Sequence, residues 1–198
     1  MPLLKGLLVI VLAYLLGSIP FAYILVKKKT GKDIRCQGSG NVGTTNASRV
    51  LGKKWAIIVL LLDYSKGFLS AWIGMWLGGP TFAVLGGAFA IIGHSFPVWL
   101  HFKGGKGMAT GFGIITVLVP QATFFAVLIW LVILLITRYV SLASILTCVA
   151  MIPLTILGDY ATIIKVVITI LVCLIVYLHR SNLKRILAGT EPKFGNRV

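Results

Sequence analysis

Six apolar runs, at about 3–26, 55–78, 81–100, 108–136, 140–157 and 160–178, take up most of this chain. Several pass the roughly 18 residues at which a membrane-spanning helix is expected. Backbone N–H and C=O groups cannot be left unpaired in hydrocarbon, and a helix pairs them within one segment. Of the 198 residues 58% are hydrophobic, with a mean hydropathy of +0.99, where a soluble domain is about half apolar. Little sequence is left for a soluble part. The expectation is one membrane-embedded domain over 1–198, all-α and polytopic.

Charge decides how the runs are threaded. Segment 27–54 carries Lys27, Lys28, Lys29, Lys32, Arg35, Arg49, Lys53 and Lys54, so the positive-inside rule assigns it to the cytoplasm and the N-terminus to the outside. Loop 78–80 is then outside, and loop 101–107, with Lys103 and Lys106, inside. A single helix over 108–136 would leave Arg138 outside, together with a tail holding His179, Arg180, Lys184, Arg185, Lys193 and Arg197. Pro120 offers the remedy, because proline removes a backbone donor and clashes with the preceding turn. Splitting the run there gives seven transmembrane helices, at about 3–26, 55–78, 81–100, 107–119, 121–137, 140–157 and 160–178, with the N-terminus outside and the C-terminus cytoplasmic. Of the 19 Lys and Arg residues, only Lys5 and Lys165 then fall near the outer side, and Lys66 within a span. The fourth helix is short: thirteen residues rise only about 20 Å against a core of about 30 Å. It must be thin, borrow from its flanks, or be re-entrant.

The net charge of +15, with only Asp33, Asp63, Asp159 and Glu191 as acids, points to anionic partners. The bases lie in short loops between spans, which argues against nucleic acid and for anionic membrane lipid or phosphorylated substrates. Cys36, Cys148 and Cys173 have no metal or disulfide spacing. The first run is followed by three lysines without a small-residue cleavage site, so it reads as a retained span.

Three polar segments fall on the same, cytoplasmic side: 38–49, 102–107 and 179–185. In the first, Gly38, Gly40 and Gly43 make a literal G-x-G-x-x-G. It is not a dinucleotide fingerprint, since no strand precedes it. Glycines still let backbone amides face an anion. Ser39, Asn41, Thr44, Thr45 and Asn46 add polar groups, and Arg49 can grip a phosphate with two N–H groups. A short interfacial helix over about 44–52, capped by Thr44, Thr45 or Asn46, is expected. The second segment sets Lys106 among Gly104, Gly105 and Gly107 at a helix start, an anion cradle rather than a Walker loop. In the third, His179 ends the last span and Asn182 follows on the same helical face; His179 is a candidate base. Taken singly, each segment could be a topology-setting loop. His94 and His101 read as interfacial histidines. Asp63 and Lys66, at i,i+3 inside a span, can pair.

There is no His-x4-Asp acyltransferase pair, no carboxylate cluster for Mg²⁺ and no nucleophile elbow. No metal or cofactor is expected, and an enzyme built from these residues needs a substrate that arrives activated. The rival readings are a transporter for a phosphorylated anion, whose sites usually lie at the midplane, and a scaffold for anionic lipid.

At these segments the chain resembles the bacterial membrane-integral acyl-phosphate:glycerol-3-phosphate acyltransferases, the PlsY family. Gly38-Ser-Gly-Asn-x-Gly-x-Thr-Asn-x-x-Arg49 is similar to the first family motif. Gly93-His-x-Phe-Pro and Phe102-Lys-Gly-Gly-Lys-Gly-x-Ala-Thr110 are similar to the second, and His179-Arg-x-Asn-Leu-x-Arg with Gly189-x-Glu191 to the third. Leu183 stands where Ile is common, and Met108 where Val is. The resemblance implies seven spans and a cytoplasmic site in the bacterial inner membrane. It implies acyl transfer from acyl phosphate to the sn-1 hydroxyl of glycerol 3-phosphate, without a cofactor, and a functional link to the enzyme that makes acyl phosphate. It makes Ser39, Asn41, Arg49, Lys106, His179 and Asn182 the candidate catalytic residues. Gly40, Gly43, Thr45, Asn46, Gly104, Gly105 and Gly107 become the candidate phosphate-binding residues. Either His179 or a substrate phosphate would take the proton.

Overall fold

The computed structural model describes residues 2–195; Arg197, counted above in the basic tail, lies outside them. Among the described residues there are nine α-helices and no strand. They are α1 (Pro2–Ser18), α2 (Phe21–Thr30), α3 (Thr44–Leu51), α4 (Lys53–Ser95), α5 (Met108–Leu118), α6 (Pro120–Thr137), α7 (Val140–Ile156), α8 (Thr162–Leu178) and α9 (Arg180–Leu187). The all-α expectation holds.

Glycine and proline set the breaks. Pro120 occupies the first position of α6, where its missing N–H is not needed, so the long run at 108–136 is divided where proline required. α4 is continuous only in name. Gly78 (φ −168°, ψ 22°) and Gly79 (φ 72°, ψ −159°) leave the helical region and reverse the chain at the expected 78–80 loop. The first apolar run differs from expectation. It is α1 and α2, divided at Ile19-Pro20, because Pro20 cannot continue the hydrogen-bond ladder; α2 then runs on to Thr30. Lys27, Lys28 and Lys29 lie in its last turn, where cations complement the helix dipole. A second difference follows α8: α9 is a separate helix, bent away by 52°.

Among the described residues three stretches can cross a bilayer alone by length and composition: Pro2–Thr30, Lys53–Leu100 and Pro120–Thr137. The bent pair of α8 and α9 makes a fourth. The second stretch contains both arms of the α4 hairpin. Large apolar side chains lie on the outside of these helices, among them Trp76 at 78% exposure and Ile136 at 77%. Such a surface suits surrounding hydrocarbon rather than water.

The chain packs as two compact units, Met1–Leu118 and Val119–Val198. In the first, α1 and α5 both pack on α4. The two arms of α4 approach until a Cβ on Gly86 would lie 2.3 Å from the Ser70 carbonyl oxygen. Small residues at such crossings give membrane helices their contact, since lipid offers no hydrophobic drive between them. Gly86→Ala must therefore push backbone apart. A loss of about 1–3 kcal/mol is expected, seen as a lower thermal midpoint of the purified protein in detergent. An unchanged midpoint would mean that the arms do not need this approach. In the second unit α7 packs against α6, α8 and α9, with Ala143, Met151, Ile168 and Val172 in its core.

Candidate functional site

The first unit holds two of the three polar segments. Between α2 and α3 the chain makes a 3-10 turn, Ile34–Cys36, started by Asp33, whose carboxylate accepts from the Arg35 amide at 2.9 Å. The Arg35 guanidinium also donates to that carboxylate, at 2.7 Å from Nη2, and these bonds hold Asp33 below the usual carboxylate range. Ile34 and Val42, both buried, pin the loop to an apolar cluster with Val26, Ala47, Val59 and Leu100.

Inside that frame Asn46 organises the loop. Its Oδ1 accepts from the Ser39 amide at 2.9 Å, and its Nδ2 donates to the carbonyls of Gln37 at 2.9 Å, Asn41 at 3.0 Å and Ile34 at 3.3 Å. Gly38 has φ +54°, and a Cβ there would sit 2.3 Å from Asn46 Oδ1, so only glycine fits. The Arg49 Cβ lies 3.9 Å from the same point, which sets Arg49 beside the turn. Asn46 was expected among the phosphate ligands and as a possible cap of α3. It is neither capping nor facing outward: the N-cap is Gly43, with no side-chain cap bond. The reason is that α3 is entered from extended Gly43, which turns the Asn46 amide under the loop. Ser39 is exposed, and Asn41, Thr45 and Arg49 are half-buried, on the loop that Asn46 shapes.

The second segment folds back on the end of α4. The amides of Gly104 and Gly105 donate to the carbonyls of Ser95 at 3.1 Å and His94 at 3.0 Å. Those carbonyls would otherwise be orphaned at the helix end. This revises the expected cradle, because the amides of Gly104 and Gly105 are already used in capping α4. Their lack of side chains serves close approach instead: a Cβ on Gly104 would lie 2.1 Å from the His94 carbonyl oxygen, and one on Gly105 2.1 Å from His94 Nε2. Gly107, at φ +80°, and half-buried Lys106 lead into the first turn of α5.

Beneath the loop is a cluster that sequence reasoning found only in part. Lys66 and Asp63 pair as expected, Nζ to Oδ1 at 2.9 Å. His94 joins them, Nδ1 lying 3.6 Å from the same oxygen. It is buried, not interfacial, because the α4 hairpin brings it opposite Asp63. His101 is exposed.

The third segment, in the second unit, is knit around Glu191. That carboxylate accepts from Asn182 Nδ2 at 2.6 Å, Arg185 Nε at 2.7 Å and Ser141 Oγ at 2.7 Å. Burial alone would raise its pKa, but these three bonds outweigh it and hold the group below the usual range. Asn182 is thus buried and facing Glu191. His179 sits at the joint of α8 and α9, with Nδ1 at 2.8 Å from the Ile175 carbonyl. A carbonyl only accepts, so Nδ1 carries a proton in this contact. Glu191, Ser141 and Arg185 were not assigned roles from sequence. The available signal was scarcity: of the four acids, Asp33, Asp63 and Glu191 all pair with a base. No three His, Cys, Asp or Glu side chains gather as a metal site among the described residues.

Residues 7–189 match the family model described as glycerol-3-phosphate acyltransferase. A protein of that name from Aquifex aeolicus is 42% identical over 96% of this chain and 100% of its own length. One from Syntrophomonas wolfei is 46% identical over 96% and 97%. Among solved structures, the glycerol 3-phosphate form of PlsY, an integral membrane glycerol 3-phosphate acyltransferase, is similar with a TM-score of 0.92 at 41% identity, covering 96% of each chain. Its lysophosphatidic acid form gives 0.89 at 39% identity, over 96% of this chain and 95% of that one.

Proposed function

Because the chain belongs to the glycerol-3-phosphate acyltransferase family, we propose that it moves a fatty acyl group from acyl phosphate to the sn-1 hydroxyl of glycerol 3-phosphate. The products are 1-acylglycerol 3-phosphate, a lysophosphatidic acid, and phosphate. The observation that carries this reading is the near full-length likeness to a structure in its glycerol 3-phosphate form, together with all three motifs standing in order in this sequence.

The chemistry suits the residues. Acyl phosphate is a mixed anhydride with a good leaving group. The hydroxyl oxygen bonds to the acyl carbon, the carbon–oxygen bond to phosphate breaks, and the hydroxyl proton leaves to a phosphate oxygen or to Nε2 of His179. Two phosphorylated substrates bring several negative charges together, so catalysis is mainly positioning and charge neutralisation. Arg49, Lys106 and the start of α5 answer the phosphates. Ser39, Asn41 and Thr45 orient the reacting groups, on a loop held by Asn46. Gly40 and Gly43 keep that loop clear of side chains, and Asn182 holds the third segment against Glu191. An apolar recess lined by Ile19, Pro20, Tyr23, Ile24, Trp99 and Leu100 suits the alkyl chain, reached from the bilayer.

The same reading takes seven spans in the bacterial inner membrane, with the N-terminus outside and the polar segments cytoplasmic. It is supported by the charge distribution and by helix breaks at Gly78-Gly79 and Pro120. It also takes a functional link to the enzyme that supplies acyl phosphate.

The test is product formation by purified protein in lipid, with acyl phosphate, acyl-CoA or acylated carrier protein as donor. Lysophosphatidate from acyl phosphate alone is the expected result; none from any donor, with folded protein, rejects the proposal. Arg49→Ala should lower turnover about 10- to 100-fold, the value of one charge-assisted contact. Arg49→Ala at wild-type rate would remove Arg49 from the phosphate contacts.

A further inference from the structure

Three ionisable side chains lie buried in the first unit, outside the polar segments: Asp63 and Lys66 at 2% exposure and His94 at 7%. Burying an ion pair is a poor way to gain stability, since apolar residues of equal volume do as well or better. What such a pair offers is direction, and the directions here form a line. Lys66 Nζ donates to the Ile19 carbonyl at 2.9 Å, at the break between α1 and α2, and lies 5.5 Å from the Phe21 ring centre. It reaches Asp63 Oδ1 at 2.9 Å. The same oxygen faces His94 Nδ1 at 3.6 Å. The far edge of the imidazole ends under the second segment, where a Cβ on Gly105 would lie 2.1 Å from Nε2 and 2.9 Å from the Val42 carbonyl oxygen. Gly105 is therefore where the backbones of the first two polar segments meet, with His94 as the floor.

We propose that Asp63, Lys66 and His94 are a positioning unit. They fix the level at which the Gly104-Gly105 loop crosses the end of α4, and so set Lys106 and the start of α5 against a substrate phosphate. None of the three touches substrate. Asp63 and Lys66 orient His94 from below, and His94 supports the loop from beneath. The inference rests on the reading that the second segment receives a phosphate.

The experiment is a double-mutant cycle between His94 and Gly105, read as KM for each substrate and kcat in lipid, with thermal midpoints alongside. Gly105→Ala drives a methyl group into the imidazole and should lower kcat/KM about 100-fold, the scale of an ångström's misplacement. His94→Ala removes the nearer clash and leaves the Val42 carbonyl oxygen at 2.9 Å, so the double variant should recover about tenfold of that loss. His94→Asn keeps an N–H toward Asp63 but withdraws from the loop. It should hold the wild-type midpoint while raising the KM of one substrate about tenfold. A support that matters only for folding would lower the midpoint and leave KM alone. Additive losses in the cycle, or His94→Asn with wild-type KM and kcat, overturn the inference while leaving the function intact. A folded wild type without acyl transfer overturns the functional reading, and this inference with it.

Discussion

Asn46→Asp should leave a folded protein with about 100- to 1,000-fold less turnover. The substitution is nearly isosteric, so packing around α3 is kept. The change is in hydrogen-bonding sense. Asn46 Nδ2 now donates to three loop carbonyls, those of Ile34, Gln37 and Asn41. A carboxylate oxygen in its place can only accept, and would face those carbonyls with like charge. Each lost bond that leaves a buried acceptor unsatisfied costs about 1–3 kcal/mol. The loop can escape that cost only by opening, and Ser39, Asn41 and Arg49 move with it. The expected signature is a fall in kcat/KM well beyond the fall in thermal stability. Initial rates within a few-fold of wild type would show that the first segment keeps its shape without this residue.

Glu191→Ala should strike stability before chemistry. The carboxylate is the common acceptor for Ser141, Asn182 and Arg185, and removing it strands a buried amide and a hydroxyl. Arg185 is about a third exposed, at 35%, so water compensates part of the loss. About 2–4 kcal/mol is expected, or a midpoint lower by about 5–10 °C. Glu191→Gln should lie between, since it keeps an acceptor but sets an amide against a guanidinium. The sign with pH is fixed by linkage. The folded pKa lies below the ordinary value of 4.5, so the contribution is complete above that value and lost as pH falls through the folded pKa. Wild-type stability should drop below about pH 4.5 more steeply than that of Glu191→Gln. Parallel curves would remove Glu191 from the account.

The helix break at Pro120 was legible because proline leaves no choice and the charge count demanded a reversal there. The break at Ile19-Pro20 was not, although it has the same cause, because no basic residue changes side when that run is divided. The third segment was recognisable as polar, yet nothing local says that Asn182 turns to Glu191, since the chain must first pass through α9 and back. The same limit applied at Gly104 and Gly105. Glycine announces a close approach but not whose backbone approaches, and here it is the end of α4. Asp63 and Lys66 were readable as a pair from their spacing. His94 could have been added by a longer rule: it and Asp63 stand nearly equally far from the Gly78-Gly79 reversal, so folding the arms together sets them side by side.

The bond from Lys66 to the Ile19 carbonyl also bears on how the chain enters the membrane during synthesis. A lysine at the centre of a nascent span carries an insertion cost of about 3 kcal/mol. Pro20 interrupts α1 and α2 at a point already translated when Lys66 leaves the ribosome. The Ile19 carbonyl therefore precedes its donor in synthesis, whereas Asp63, three residues ahead, lies in the same helix as Lys66. His94 arrives last, after the cation has been settled. The order of synthesis thus sets one partner of Lys66 in an earlier helix and one in its own, so both precede the second arm of α4.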